Sequence, residues 1–307
     1  MMLKPIEQKN LFGLDYYFNE LKYLYDNKKF PNKVLLSGQK GLGKFTLALH
    51  FINYVHSKNE EFPYDFKKFV INENNKSFKL VLNNSSPNFY LIDVQKDKKN
   101  IDINQIRELI NFCNKSSFND KPRFIVIDNL EFMSLSSNNA LLKTLEEPNQ
   151  NINFILINNS HKILPTIKSR CLNFKINLSQ KQCANIFNQI TGIEIDNIIN
   201  RELISHYFTT GDLLNFYNFS IENNINISNI KLKDLLLKII DDSYYKKEIL
   251  NINLIYTFIQ MYFINNLHLE NNYELYTKFV ESIGNIKKYN LEIESLFINF
   301  RHQLTND

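Results

Sequence analysis

Three of the seven glycines in this 307-residue chain lie close together and precede a lysine. The segment reads Gly38-Gln39-Lys40-Gly41-Leu42-Gly43-Lys44, which fits the pattern G-x-x-x-x-G-K of a phosphate-binding loop. Backbone N–H groups of such a loop surround phosphate oxygens, the following helix N-terminus adds positive potential, and the lysine contributes a point charge. The pattern predicts that Gly38, Gly41, Gly43 and Lys44 bind the phosphates of a nucleotide.

The residue after the lysine departs from this pattern. A Ser or Thr at that position supplies a hydroxyl to Mg²⁺, whereas this chain has Phe45. Thr46 comes one residue later, and a step of about 100° around a helix directs its hydroxyl elsewhere. We therefore predict a degenerate nucleotide site that includes Thr46, in which ATP can bind and no metal ligand is expected.

A second departure follows the apolar run at residues 123–127. The run ends at Asp128, a carboxylate that could orient Mg²⁺ through water. The next residue, where many ATPases have a catalytic glutamate, is Asn129, and an amide cannot take a proton from an attacking water. Glu131 is expected on a different face. The site is therefore predicted to lack hydrolytic activity of its own.

The elements that position these residues alternate between strands and helices. Short apolar runs at 33–37, 89–94, 123–127 and 153–157 predict four strands. Because strands that are apolar on both faces and alternate with helices are typical of a covered parallel sheet, the sequence predicts an α/β P-loop domain.

Several local features refine this prediction. Helical spacing begins at Lys44, near Asp102 and after Ser136, and Asp102 with Gln105 has the spacing of a capping box. The stretches 72–88 and 95–101 are predicted to be polar loops.

Helical spacing dominates from about residue 177 to the end. Leu, Ile and Phe recur at this spacing in seven segments, near 179–190, 198–208, 212–221, 231–243, 251–268, 270–283 and 290–304. The polar stretch 222–230 is the best candidate for a boundary. We predict an α/β domain at 1–177, a small helical domain at 178–224 and a helical bundle at 225–307.

Composition excludes several classes of protein. With 44% apolar residues, including 25 Phe and 16 Tyr, the chain is neither disordered nor fibrous. No run approaches the ~18 apolar residues of a membrane span, and no secretory signal is recognisable. Three scattered cysteines (Cys113, Cys171 and Cys183) argue against disulfides and structural zinc, so a cytoplasmic location is expected. A net charge of +4 is too small to assert nucleic-acid binding.

Two further motifs follow the Asp128 strand in order. Residues 137–148 read Ser-Asn-Asn-Ala-Leu-Leu-Lys-Thr-Leu-Glu-Glu-Pro, and Ser169-Arg170-Cys171 comes later. Together they resemble the clamp-loader branch of the AAA+ ATPases, and within it the delta-prime subunits of the bacterial DNA polymerase III clamp loader. The resemblance is dense from about residue 10 to 176 and only architectural beyond. Within the first motif, adjacent Glu146 and Glu147 point about 100° apart on a helix, so helix-end solvation or contact with a partner subunit is expected.

The resemblance implies a subunit of the replicative DNA polymerase holoenzyme. The family forms a pentameric ring of gamma/tau, delta and delta-prime subunits that opens a sliding clamp and loads it on primer–template DNA. Each subunit has an AAA+ domain, a helical lid and a C-terminal collar, which the three predicted parts match. In the family the arginine of Ser-Arg-Cys reaches the neighbour's ATP, and Arg170 matches that position, where a guanidinium stabilises transition-state charge.

Other positions separate the chain from the motor subunits of this family. The motors keep an intact phosphate loop, Asp-Glu after the third strand and a four-cysteine zinc module, whereas residues 56–88 contain no cysteine and zinc is not expected. A second sensor arginine would be expected near Gly211-Asp212-Leu213-Leu214, which has none. The polar residue that the family has at the end of the fourth strand is represented by Asn158 or Asn159, which is expected to contact a phosphate or a water. The prediction is a non-hydrolysing ring member that donates Arg170. Two alternatives stay open: an active gamma/tau-type ATPase that uses Thr46, and an unrelated P-loop enzyme such as a small-molecule kinase.

Overall fold

The computed structural model describes residues 4–95, 98–116, 118–146, 151–159, 164–204, 206–246, 252–266, 272–289 and 291–306. The chain divides into two compact units. One consists of Met1–Ile186 with Thr209–Gly211, and the other of Phe187–Phe208 with Asp212–Asp307. Each unit has its own buried apolar core.

The first unit is built on a parallel sheet of five strands. They are β1 (Lys33–Ser37), β2 (Phe89–Ile92), β3 (Arg123–Ile127), β4 (Ile152–Asn158) and β5 (Leu172–Lys175). Their order across the sheet is β2-β3-β4-β1-β5, and every neighbouring pair is parallel. Because β1, β3 and β4 are buried along nearly their whole length, both faces of the sheet are covered. The predicted α/β class with a parallel sheet is confirmed.

Helices of the first unit connect and cover these strands. They are α1 (Asp15–Asp26), α2 (Lys44–Ser57), α3 (Lys76–Leu82), α4 (Ile103–Asn114), α5 (Leu135–Glu146) and α6 (Pro165–Lys168), with α7 (Gln180–Thr191) at the end of the unit. Leu47, Phe51 and Val55 recur at four-residue spacing along α2, and all three are buried.

Strand β5 is an addition to the four predicted strands. Its sequence, Leu172-Asn173-Phe174-Lys175, has only two apolar residues, and it pairs with β1 alone at the edge of the sheet. Leu172 is 46% exposed. The other edge strand, β2, is apolar at all four positions and is among the predicted strands, whereas two apolar residues in four do not form a continuous apolar run.

The prediction of a loop at 72–88 is wrong for residues Lys76–Leu82, which form helix α3. Asn75 Oδ1 accepts the backbone N–H of Phe78 at 2.7 Å and caps the helix, and Phe78 and Val81 are buried. Seven residues are too few for helical spacing to emerge from the sequence. The predicted start of α4 is confirmed, since Asp102 Oδ1 accepts the N–H groups of Asn104 and Gln105 at 2.9 and 3.1 Å.

The second unit is helical. Its helices are α8 (Ile195–Ile198), α9 (Thr210–Glu222), α10 (Leu232–Asp241), α11 (Ile252–Asn265), α12 (Asn272–Tyr289) and α13 (Glu294–Asn306). Six of the seven predicted helical segments correspond to α7 and α9–α13, although the junction of the 251–268 and 270–283 segments lies at 267–271, outside the described residues.

The predicted helix at 198–208 is wrong. Helix α8 ends at Ile198, and a 3₁₀ turn occupies Arg201–Ile204. Asn200 interrupts the helical pattern, because its N–H donates to Ile227 O at 2.8 Å and its side-chain oxygen accepts the N–H of Glu202 at 3.0 Å. An amide side chain that bonds the local backbone competes with the helix.

Aromatic residues form the core of the second unit. Phe263, Phe279 and Phe300 meet pairwise with ring centroids 5.4–5.8 Å apart, and Phe258 and Phe297 are fully buried. Such tilted ring pairs stabilise a core beyond the burial of their area. Across the described ranges, no helix combines the length and the apolar character needed to cross a membrane.

Candidate nucleotide site and arginine finger

The phosphate loop joins the end of β1 to the start of α2, as the sequence predicts. Gly38, Gly41 and Gly43 have φ values of +145°, +87° and +78°, a region that L side chains rarely adopt. A Cβ on Gly38 would lie 2.4 Å from Ile176 O, and one on Gly41 would lie 2.3 Å from Thr209 Oγ1. Glycine is therefore required here both by backbone conformation and by close approach of the surrounding chain.

Lys44 is the first residue of α2 and is only 3% exposed. Its Nζ donates to Gly38 O at 2.9 Å and to Gln39 O. Burial lowers the pKa of Lys44 to about 8, against the opposing effect of the Asp128 and Glu131 carboxylates. The ammonium is thus placed at the loop, where phosphate oxygens would be held, and it is bonded to the loop's own carbonyls.

Phe45 and Thr46 follow in the first turn of α2, and both are half-buried. Phe45 occupies the position from which a hydroxyl would reach Mg²⁺, and its ring has no oxygen to offer. The residues present therefore fit the phosphates of a nucleotide, through the loop and Lys44, but they do not fit the usual magnesium ligand set.

Asp128 follows β3 at the carboxyl edge of the sheet. Its Oδ1 accepts the backbone N–H of Asn129 at 2.8 Å and the side-chain amide of Asn159 at 3.3 Å. Burial raises the pKa of Asp128 to about 6; the Asn129 N–H opposes this rise, and the Asp93 carboxylate adds to it. Asp128 thus lies in the same charged cluster as Lys44.

Asn129 has a left-handed backbone, with φ of 54°. Its side-chain amide donates to Asp93 Oδ1 at 2.6 Å, and its Oδ1 accepts from Asn159 Nδ2 at 3.0 Å. Residues that follow β2, β3 and β4 therefore meet at one edge of the sheet. The amide of Asn129 bridges them and has no basic atom to take a proton from water.

Two asparagines end β4, and the structure separates their positions. Asn158 is the last residue of β4, is 1% exposed and pairs in register with Ser37. Asn159 contacts Asp128 and Asn129. Both asparagines therefore lie at the carboxyl edge of the sheet, beside the residues that follow β3.

The expectation that Glu131 lies on a different face from Asp128 and Asn129 is wrong. Its Oε2 accepts the backbone N–H of Asn159 at 3.0 Å, and its charge acts on Lys44. The sequence argument fails because Asn129 is left-handed and Leu130–Phe132 is a 3₁₀ turn, so the chain bends back towards the strand ends. The sequence shows an acidic residue three positions after Asp128, but the pattern gives no sign that its carboxylate turns towards the end of β4.

The segment 209–211 packs directly on the phosphate loop. Gly211 N donates to Gly41 O at 2.9 Å, and a Cβ on Gly211 would lie 2.5 Å from Gly41 Cα. Thr210 Oγ1 donates to Cys183 O at 3.2 Å and anchors the segment. Where the family resemblance implies a sensor arginine nearby, the chain thus has a glycine whose backbone touches the loop.

Arg170 lies in the turn between α6 and β5. Its Nη2 donates to Glu146 Oε1 at 2.6 Å, and its Nη1 donates to Thr166 O at 2.9 Å. The side chain of Arg170 is 34% exposed. Burial raises the pKa of the adjacent Cys171 thiol to about 11, so the thiol stays protonated and is no nucleophile.

The first of the two family motifs is described only in part. Glu146 ends α5 and pairs with Arg170, whereas Glu147 and Pro148 lie outside the described residues. Among the described residues no group of three or more His, Cys, Asp and Glu side chains could hold a metal ion. The expected absence of zinc stays a prediction.

Comparison with known proteins decides the family. A family model described as "DNA polymerase III, delta subunit" matches residues 14–180, more than half of the chain. The chain belongs to the DNA polymerase III delta subunit family. The matched range includes the phosphate loop, Asp128 and the Ser169-Arg170-Cys171 motif.

Relatives of this family member include two types of subunit. DNA polymerase III subunit gamma of Buchnera aphidicola is 31% identical over 236 residues, 74% of this chain and 62% of that protein. DNA polymerase III subunit delta′ of Pseudomonas aeruginosa is 28% identical over 139 residues, 45% of this chain and 40% of that protein. The chain thus spans less than two thirds of either relative.

A solved structure shares the architecture. A DNA polymerase III gamma subunit-related protein from Thermotoga maritima superposes with a TM-score of 0.54 at 18% identity, covering 92% of this chain and 98% of the other. At this identity the likeness shows the fold alone, a parallel α/β domain followed by helices.

Proposed function

We propose that this chain is a clamp-loader subunit of a replicative DNA polymerase that does not hydrolyse ATP itself. It joins gamma/tau- and delta-type subunits in a pentameric ring, where Arg170 acts on a neighbour's ATP while the ring loads a sliding clamp on primer–template DNA. In this proposal residues 1–177 form the AAA+ domain, 178–224 the lid and 225–307 the collar that joins the subunits. The protein works in the cytoplasm.

One observation carries the proposal: the chain's own nucleotide site lacks its reactive groups, whereas the Ser-Arg-Cys arginine is retained. Phe45 offers no oxygen to a metal, and the Asn129 amide bridges Asp93 and Asn159 and cannot act as a base. Lys44 is buried and bonded to loop carbonyls. Nucleotide binding here would stabilise the subunit without turnover.

The position of Arg170 supports its assignment as the finger. The side chain is partly exposed, and the bond from its Nη1 to Thr166 O holds the guanidinium at the turn before β5. A planar fork of N–H groups suits the γ-phosphate, whose charge rises in the transition state.

The test is Arg170→Ala in the reconstituted complex. We expect the ring to assemble normally and its ATPase and clamp-loading rates to fall, because arginine fingers in general contribute ~10³–10⁵ to the rate at the site they serve. Arg201→Ala is the matched control, since that arginine is 85% exposed and pairs with Asp196 at 3.6 Å. Unchanged rates in the Arg170 variant would reject the finger.

A gamma/tau-type ATPase is the second candidate, and Glu131 is the observation that favours it. Its carboxylate joins the Asp128 cluster near Lys44 and could replace the base that position 129 lacks. The purified chain, assayed with ATP and Mg²⁺, separates the two proposals. Turnover that is lost in Lys44→Ala and in Glu131→Gln, and kept in the exposed control Glu61→Gln, would overturn the non-hydrolysing proposal.

A further inference from the structure

The two family motifs meet through one ion pair. Glu146, the last residue of α5, accepts from Arg170 Nη2 at 2.6 Å, across 24 positions of sequence. Thr166 O takes a second N–H of the same guanidinium, and Ser169 Oγ lies 3.5 Å from Nη1. Both nitrogens at the end of the Arg170 fork are therefore engaged inside the chain.

A carboxylate and a phosphate compete for the same feature of arginine. A carboxylate presents two anionic oxygens and a terminal phosphate presents three, and either group accepts paired N–H bonds from a guanidinium. The bond to Glu146 also neutralises the charge that would attract a γ-phosphate. In this arrangement Arg170 must give up the Glu146 oxygen before both Nη groups can face a nucleotide.

The solvent exposure of Arg170 and Glu146 determines the strength of their ion pair. The side chains of Arg170 and Glu146 are 34% and 52% exposed, so water and salt screen their attraction. Ion pairs of this kind shift an equilibrium by about 1.4- to 5-fold. Such a pair biases the position of the finger, yet a γ-phosphate with several charged oxygens can displace it.

We infer that Glu146 is an internal competitor that holds Arg170 away from the neighbouring nucleotide until the ring closes on it. Glu146 is then a positioning residue that lowers the basal rate of the complex. The inference rests on the proposed finger role of Arg170, and it adds the residue that restrains the finger.

The experiment is Glu146→Gln in the reconstituted complex, measured without clamp and DNA. The amide keeps the shape and removes the charge, so the basal ATPase rate should rise by about 1.4- to 5-fold. Glu146→Ala serves as a second variant that also removes the carboxylate. Glu73→Gln is the matched control, because Glu73 is an exposed partner of Lys9 in the same unit.

The Arg170→Ala background distinguishes a restraint on the finger from a general change in the subunit. There, Glu146→Gln should leave the rate unchanged, because the residue it acts through is absent. An equal or lower rate of Glu146→Gln with Arg170 present would overturn the inference, as would a rise that persists without Arg170. If Arg170→Ala alone leaves the wild-type rate unchanged, the proposed function fails instead.

Discussion

Replacing Gly211 by alanine tests the contact between the phosphate loop and residues 209–211. A Cβ at this position would lie 2.5 Å from Gly41 Cα and 3.3 Å from Gly41 O, and real Cβ atoms essentially never approach other atoms within 3.0 Å. The obstacle is backbone rather than a flexible side chain, so one of the two segments must move. The hydrogen bond from Gly211 N to Gly41 O, 2.9 Å long, would be lost or lengthened.

The magnitude follows from two opposing effects. Alanine stabilises a helix by about 0.5–1 kcal/mol relative to glycine, and Gly211 lies in the first turn of α9. Forced overlap in a packed region costs about 1–3 kcal/mol. Gly284→Ala supplies the helical effect alone, because a Cβ there would meet no atom within 4 Å. The free energies of unfolding of the two variants should therefore differ by about 1–3 kcal/mol.

The assay is urea unfolding of the full chain, followed by circular dichroism. Gly284→Ala should have a higher midpoint than wild type, and Gly211→Ala a lower midpoint than Gly284→Ala. Amide exchange at Gly211 should quicken in Gly211→Ala, because its N–H loses the Gly41 carbonyl. Equal midpoints and unchanged exchange in the two variants would refute the packing argument.

Two further predictions concern stability. Burial lowers the pKa of both His50 and His56 to about 4, whereas these histidines have an ordinary pKa near 6.5 in the unfolded chain. Between these two pH values the unfolded chain binds more protons than the folded chain. The free energy of unfolding should therefore fall as the pH drops from about 6.5 to 4. Urea titrations should show a shallower fall in His56→Gln, and a slope identical to wild type would contradict this origin. Asp102→Ala should lower the free energy of unfolding by about 1 kcal/mol, because α4 loses its cap. The exposed Asp120→Ala is the control, and equal midpoints for the two variants would contradict the capping role.

Sequence reasoning succeeded where structure depends on near neighbours. The phosphate loop, the strand before it and the helix after it all lie within residues 33–57. Asp102 is likewise a local signal, because it caps the helix that begins at the next residue. The buried strands could be predicted because a parallel sheet requires apolar residues on both faces. Strand β5 was not predicted because only two of its four residues are apolar, unlike those of β2 at the opposite edge.

The candidate site was less predictable because its contacts join distant segments. Gly211 meets Gly41 across 170 positions, and no local pattern marks a glycine as the partner of another. Glu131 enters the cluster because Asn129 adopts a left-handed backbone. The chain contains many asparagines, and nothing in the sequence marks this one as left-handed. The Glu146–Arg170 pair likewise depends on how α5 and α6 end relative to each other.

The residues of the nucleotide site and the residues around Arg170 lie on different segments of the chain, so the first set can differ from the family pattern while Arg170 keeps its position. Phe45 and Asn129 belong to the segments that follow β1 and β3, whereas Arg170 is held by the ends of α5 and α6. The hydrogen bonds that fix Arg170 involve Glu146, Thr166 and Ser169, and none of these partners contacts Lys44 or Asp128 among the described interactions. Substitutions at the phosphate loop therefore leave the guanidinium in place. In the proposed role Arg170 acts on a phosphate that another subunit binds, and such a role requires the fold of this chain but not the reactive groups of its own site.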